Sequence, residues 1–498
     1  MSKRKVIGAI DRIDRRNLIF YSLYGWVKLL FNQFYRKVEV HGLENIPKDA
    51  PVIFAPNHQN ALMDALLVLF SSPGDMVFLA RADLFRKKLL AKVLNSLKIL
   101  PVFRIRDGVD ELGKNQEIFD ITVGVLHRRH QLCIMPEGNH SDRRRLRNLG
   151  KGIFRIAFKT QEKMGNQPCV KIVPVGLDFS DYVKHYQELH IVYGKPIEVS
   201  DYWDEYKENG PRGMNLLKQR LADEMKPLMI HIETVEYYDM YLGLRTVFNE
   251  RMREIMGIEG KRLHDKFLAD KEMIRRLDGV LEEEQPQGDG KLEERQPATD
   301  GKLDEKQQVD EEQVKASGQA DGLPHPLDPL REKVERYMKS LEKLNIRDWV
   351  VKAEGYSTAR VAWRWLALLL TLPVFLYGLI NNALMYFLPV RAVKNIKDVQ
   401  FHSSVKAGLA MLVVMPLTYL LQTLLVGIFT DGWYIWAGYL VLLYPTGKLA
   451  LLWYLRLKKT LRGGWFGRQY RKKANAAVEL VELRQQIVQD TEKLIADK

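Results

Sequence analysis

Residues 55–67 read APNHQNALMDALL. The four residues ahead of the turn, 52–55, form a short apolar run suited to a strand. Pro56 ends extended structure, and ALMDALLVLF has the length and composition to begin a helix. His58 therefore lies in a strand-to-helix turn, with Asp64 one to two turns into the helix. A spacing of six does not align two residues on one straight helix face, so the pair meets only if the histidine sits in the non-helical turn. Such a geometry suits a base with an orienting carboxylate. The aspartate fixes the tautomer and opposes imidazolium charge, while the other ring nitrogen faces a hydroxyl. Taken alone, the same spacing favours a turn histidine that caps the helix.

On either side of this stretch, short apolar runs alternate with helix-like segments: PVIFAP, MVFLA, ILPVF, LCIMP, VKIVPVGLDF and LHIVYG. The alternation predicts an α/β domain over residues 38–199, a mixed sheet flanked by helices, with helices at 115–129 and 158–164. Residues 200–276 keep apolar positions at helical spacing among many charges and read as a helical extension.

Three further blocks bear on chemistry. LPVFRIRDG (100–108) follows an apolar strand and presents Arg104 and Arg106 in alternation, suited to a phosphate on one side of the domain or, more plainly, to a solvated strand edge. CIMPEGNHSDRRRLRNLGKG (133–152) puts Glu137 and Gly138 at a strand end before a basic loop, where glycine allows close backbone approach and nearby cations hold an anion. IVPVGLDF (172–179) is a buried strand, either core or the wall of a pocket.

Charge and hydropathy organise the rest of the chain of 498 residues, which is too long for a single core. Within its formal charge of +14, residues 278–312 hold thirteen acids against four bases, so the remainder is near +23. That acidic stretch repeats every eleven residues from Asp278, Asp289 and Asp300, with Asp-Gly starts, two prolines and few leucines. It cannot bury a core, and residues 277–328 read as a disordered linker. The bases cluster beside apolar segments, before and within an N-terminal stretch at 1–37 that reads as an interfacial amphipathic helix, and along 456–473. This pattern indicates an anionic membrane surface. A nucleic-acid partner is disfavoured, because the bases flank apolar runs rather than aromatic platforms.

After an amphipathic helix at 329–358 comes a membrane region at 359–456, in which residues 365–388, 405–429 and 433–455 each have the roughly twenty residues of a crossing. The loop after the first segment and the tail at 457–498 are basic, which predicts both on the cytoplasmic side and segments two and three as a hairpin. Pro373, Gly378, Asn381 and Asn382 interrupt the first segment, so it is expected to be kinked or re-entrant, with a third full crossing as the alternative. Cys133 and Cys169 read as reduced thiols without metal-ligand spacing, and Cys133 is not expected to be a nucleophile.

The order NHQNALMD, FRIRDG, PEGNHS and VPVG, with VEVHGLENIP upstream, resembles the glycerolipid acyltransferase superfamily. The resemblance spans about residues 38–194. It implies transfer of an acyl chain from coenzyme A or acyl carrier protein to glycerol-3-phosphate or a lysophospholipid, with no cofactor. His58 is then the base and Asp64 its partner. Arg104, Arg106, Glu137 and Gly138 fall on the acceptor side and Pro174 on the donor side, with Asn57, His140, Ser141 and Arg143 as further substrate-binding candidates. Where the family's third block has arginine, this chain has His140, so residues 143–145 are expected to supply the cation. The GNHSD sequence is similar to a variant in one branch of membrane glycerol-3-phosphate acyltransferases.

The resulting expectation is a multi-pass membrane acyltransferase with its catalytic domain on the cytoplasmic face. Its acceptor is 1-acyl-sn-glycerol-3-phosphate, or else glycerol-3-phosphate or another lysolipid. Two other readings compete. One is a metal-dependent phosphoesterase using His58, Asp64 and His140; the other is a non-catalytic adaptor that docks partners on its linker and its terminal helix.

Overall fold

The computed structural model describes residues 13–14, 18–74, 76–86, 88–102, 114–165, 169–283, 325–396 and 398–496. Residues 284–324 of the expected linker, Arg104 and Arg106 lie outside these; residues 277–283, expected to be linker, instead form the end of the helix Leu263–Glu283, with Leu277 and Val280 buried. The described chain forms two units, the first running to His231 and also containing Asn395–Ala407.

In the first unit the order is α1 (Leu18–Phe34), β1 (Lys37–His41), β2 (Val52–Pro56), α2 (Leu62–Ser71), β3 (Met76–Arg81), α3 (Lys88–Ser96) and β4 (Ile99–Val102). It continues with α4 (Lys114–His127), β5 (Gln131–Cys133), α5 (Gly152–Met164), β6 (Lys171–Phe179), β7 (Glu188–Tyr193), β8 (Ile197–Glu198), α6 (Trp203–Glu208) and α7 (Gly210–Met225). The strands form one mixed sheet ordered β1-β7-β6-β2-β5-β3-β4, with β8 on β6. From β6 to β4 neighbours are parallel, while β7 and β8 run antiparallel to β6.

Period-two patterning divides the faces of β2. Ile53 and Ala55 pack with Val125, Phe154, Ala157 and Leu217 from α4, α5 and α7. Phe54 points the other way and meets Tyr193 edge-to-face at 5.9 Å. On that side α2 buries Met63, Leu67 and Val68, and α1 covers α2 through Phe31 on Phe70 at 5.1 Å. Because β2 is central and buried along its whole length, its carboxyl end opens where the parallel neighbours β5 and β6 also end, the usual site of chemistry in such sheets.

The second unit contains α8 (Tyr238–Val247), α9 (Asn249–Ile255), α10 (Leu263–Glu283), α11 (Asp328–Lys343), α12 (Asp348–Lys352), α13 (Thr358–Leu370) and α14 (Leu372–Ala392). Next along the chain, α15 (Phe401–Gly408) passes through a π-helical turn, Leu409–Val414, into α16 (Met415–Ile428); α17 (Trp433–Arg471) and α18 (Asn475–Ile495) complete it. α15 up to Ala407 packs with the first unit.

Among the described residues, three helices are long and apolar enough to cross a membrane: Leu372–Asn395, Phe401–Ile428 and Trp433–Arg471. The first apolar segment does break, but at Thr371, between α13 and α14, with Pro373 in the first turn of α14. Gly378, Asn381 and Asn382 do not interrupt it; they serve packing. A Cβ on Gly378 would lie 2.2 Å from the Thr446 carbonyl oxygen, so glycine permits the contact between α14 and α17. Buried Asn382 donates to the Leu443 carbonyl at 3.2 Å and accepts from Tyr419 Oη at 2.6 Å. The basic stretch after residue 456 is no separate tail, since α17 runs on through it as one helix of 39 residues. α18 buries Leu480, Val481, Leu483 and Ile487, and Arg484 pairs with Asp348 of α12 at 2.7 Å. The apolar face that an adaptor would offer to partners is therefore spent inside the unit.

Candidate active site

His58 follows β2 directly and Asp64 lies in the first turn of α2. Its ring Nδ1 is 2.8 Å from Asp64 Oδ2, and the histidine side chain is 16% exposed while the aspartate is fully buried. The same oxygen accepts the backbone N–H groups of Gln59 at 2.9 Å and Asn60 at 2.7 Å. With Nδ1–H donated to a carboxylate, the neutral ring carries its lone pair on Nε2, directed away from Asp64. The turn reaches this shape through Ala61, whose φ of 45° and ψ of −123° fall where residues with a Cβ rarely go.

Glu137, in the loop after β5, accepts the backbone N–H of His58 at 2.7 Å on one oxygen and that of Arg147 at 3.1 Å on the other. Burial of the carboxyl group pushes its pKa up to about 7, against the pull of these two hydrogen bonds. The glutamate thus clamps the histidine's backbone. Both of its oxygens are taken by backbone N–H groups, which gives Glu137 a structural role in the turn. Gly138 has φ of +68° and open space where a Cβ would stand, a left-handed turn that suits glycine.

Past that turn, Ser141 donates its N–H to the His58 carbonyl at 3.2 Å, and its hydroxyl accepts the Arg143 N–H at 3.2 Å. The Arg143 carbonyl accepts Gln59 Nε2 at 3.3 Å. Arg144 is buried, pairs with Asp178 and the Phe179 carbonyl, and covers the Tyr182 ring. Tyr182 in turn donates to Gln59 Oε1 at 2.9 Å. Of the arginines expected to replace the family's cation, Arg144 is committed to holding this loop.

His140 stands beside the pair, its ring edge-to-face with His58 at 5.4 Å. Its Nε2 lies 2.8 Å from Asp398 Oδ2, a contact that no sequence spacing announces. Asn57 and Pro174 do not face the site. Buried Asn57 exchanges hydrogen bonds with Leu177 of β6 at 3.1 and 2.7 Å. Pro174 pairs with Ala55 in the sheet and its carbonyl accepts Gly194 N–H at 2.9 Å. Cys133 is fully buried, and burial drives its thiol far up, so it is no nucleophile. Among the described residues, His58, Asp64 and His140 do not converge as three ligands on one ion.

Residues 37–178 match the Acyltransferase family model. The chain is 26% identical over 192 residues to a chloroplastic 1-acyl-sn-glycerol-3-phosphate acyltransferase of Arabidopsis thaliana, covering 37% of this chain and 50% of that protein. A chloroplastic 1-acyl-sn-glycerol-3-phosphate acyltransferase of Brassica napus is 26% identical over 212 residues, covering 41% and 58%. The chain thus spans between half and three-fifths of these relatives' length. Among solved structures, the 1-acyl-sn-glycerophosphate acyltransferase PlsC of Thermotoga maritima aligns with a TM-score of 0.28 and 22% identity, over 40% of this chain and 80% of that one.

Proposed function

We propose that the chain, whose residues 37–178 match the Acyltransferase family model, is a glycerolipid acyltransferase that transfers a fatty acyl chain from an acyl thioester to a hydroxyl of a glycerophosphate. The donor carrier is coenzyme A or acyl carrier protein. Both relatives are named for 1-acyl-sn-glycerol-3-phosphate, which is the first acceptor to test; glycerol-3-phosphate and other lysolipids come second.

The reading is carried by the 2.8 Å hydrogen bond from His58 Nδ1 to buried Asp64. It leaves Nε2 to take the proton of the acceptor hydroxyl as that oxygen attacks the thioester carbonyl. Asp64 opposes the charge that develops on the ring. When the tetrahedral intermediate collapses, the new C–O bond remains, the C–S bond breaks, and His58 returns the proton to the departing sulfur. Ester and free thiol are the products.

Lysolipid acceptors reside in membranes, and two features support a membrane setting. Three helices among the described residues have the length and composition to cross a bilayer, and α1 exposes Leu18, Trp26 and Leu29 beside Lys28. On this reading the enzyme is multi-pass, with its basic segments and catalytic domain on the cytoplasmic side.

The test is an assay of the full chain in vesicles, with labelled acyl thioester against lysophosphatidate, glycerol-3-phosphate and other lysolipids. Labelled phosphatidate is expected from lysophosphatidate, and none from His58→Ala. Full activity in that variant, or no thioester consumption by the wild type, defeats the reading.

A further inference from the structure

A further stretch of chain, distant in sequence, reaches the site. Residues Asn395–Ala407 belong to the first unit, although in sequence they run from the end of the first candidate membrane helix into the first two turns of the second. Their side chains touch three different loops at the carboxyl end of the sheet. Asp398 accepts from His140 Nε2 at 2.8 Å. Ser403 donates to Asn60 Oδ1 at 2.8 Å, and both residues are buried. Lys406 donates to the Val183 carbonyl at 2.8 Å. Phe401 stands edge-to-face with the His140 ring at 5.4 Å.

Two of these contacts stop one residue short of the His58–Asp64 pair. Asn60, held by Ser403, gives its backbone N–H to Asp64 Oδ2. His140, held by Asp398 and Phe401, packs its ring on His58. We propose that Asp398 and Ser403 are positioning residues for acyl transfer, holding the His140 ring and the Asn60 turn against His58 so that this segment forms a wall of the active site. The proposal rests on the acyl-transfer reading above.

Electrostatics gives it a signature that a purely structural role lacks. The charged and titratable groups acting on His140 are Asp398, His58 and Asp64. Burial lowers the His140 pKa below its ordinary value, the proximity of His58 acts in the same direction, and the hydrogen bond and charge of Asp398 pull it back up. A proton on His140 opposes the one that His58 must take, so His140 has to be neutral during turnover. Removing the charge of Asp398 lowers the His140 pKa further and moves its protonation to more acidic pH.

The experiment compares wild type, Asp398→Asn, Asp398→Glu, Ser403→Ala and His58→Ala, each as the full chain in vesicles. It measures kcat and KM across pH and follows histidine ring titration by nitrogen-15 NMR. Asp398→Asn is expected to lower kcat about tenfold with donor KM within twofold, and to shift both the acid limb and the His140 titration to lower pH. Asp398→Glu should recover part of kcat, and Ser403→Ala should lower kcat severalfold. If kcat stays within twofold in Asp398→Asn and Ser403→Ala while His58→Ala is dead, the positioning proposal fails and the acyl-transfer reading stands. A fall in kcat without any shift of the His140 titration also overturns it. Full activity in His58→Ala, or an inactive wild type, removes both.

Discussion

His58 and Asp64 are joined through a single carboxylate oxygen: Oδ2 of Asp64 receives the ring N–H and two backbone N–H groups, while its buried Oδ1 has no hydrogen-bond partner among the described residues. Charge and hydrogen-bond geometry are therefore separable at this residue.

Asp64→Asn should separate them. With its amide oxygen in the place of Oδ2, asparagine keeps all three hydrogen bonds, and its NH2 takes the unpartnered position at a cost of about 1–3 kcal/mol. The turn survives but the charge opposing the imidazolium is gone. Turnover should fall by about 10²–10⁴, with circular dichroism unchanged.

Glu137→Gln should reveal a pH dependence of stability. The folded-state pKa is raised from 4.5 to about 7. The stabilisation from the protonated form is thus complete below about pH 4.5 and is lost as pH rises towards 7. Glutamine cannot titrate and leaves one of two backbone N–H donors unmatched. Its melting temperature should lie below that of wild type at acidic pH, with the gap narrowing between pH 5 and 7.

Ala61 offers a test of backbone strain. Glycine relieves the φ of 45° but adds unfolded-chain freedom and loses a buried methyl, so Ala61→Gly should change stability by less than about 1 kcal/mol. Ala61→Val, β-branched in the same conformation, should cost more than about 2 kcal/mol. Thermal unfolding of the two variants distinguishes these outcomes.

Gly378→Ala should loosen the second unit. The added Cβ meets a backbone oxygen, Thr446 O, at 2.2 Å, and backbone cannot swing aside as a side chain would. Its melting in detergent should fall by several degrees, while Gly438→Ala on α17, with open space around it, should leave melting unchanged.

The turn at His58 was legible because its signals are local: an apolar strand, a proline, and a helix starting at a fixed distance. Strands β2, β3, β4 and β5 were legible for the same reason, each being a short apolar run with a helix after it. Asp398 and Ser403 were not, since they lie 258 and 343 residues from His140 and Asn60, and the segment carrying them reads simply as a basic loop. Asn57 misled because an asparagine that ties two strands together looks, in sequence, like one that meets a ligand. Asn381 and Asn382 misled for a related reason. Polar residues in an apolar helix weaken the pattern without breaking the helix, provided that neighbouring helices supply hydrogen-bond partners, as Tyr419 and Tyr439 do.

The continuity of α17 sets a distance. At about 1.5 Å per residue its 39 residues measure about 58 Å, roughly twice the ~30 Å of a bilayer's hydrocarbon layer. Were the helix to cross a membrane from Trp433, it would leave the lipid near Leu452, and the rest packs within the unit, with Thr460, Gly463, Phe466 and Gly467 buried. Arg456, Lys458 and Lys459 would then stand at headgroup depth, while Arg471, further along, donates to the Tyr356 carbonyl at 2.8 Å. The cations form a graded ladder rather than a flexible brush, so neutralising the lower rungs should weaken attachment to anionic vesicles more than neutralising the upper ones.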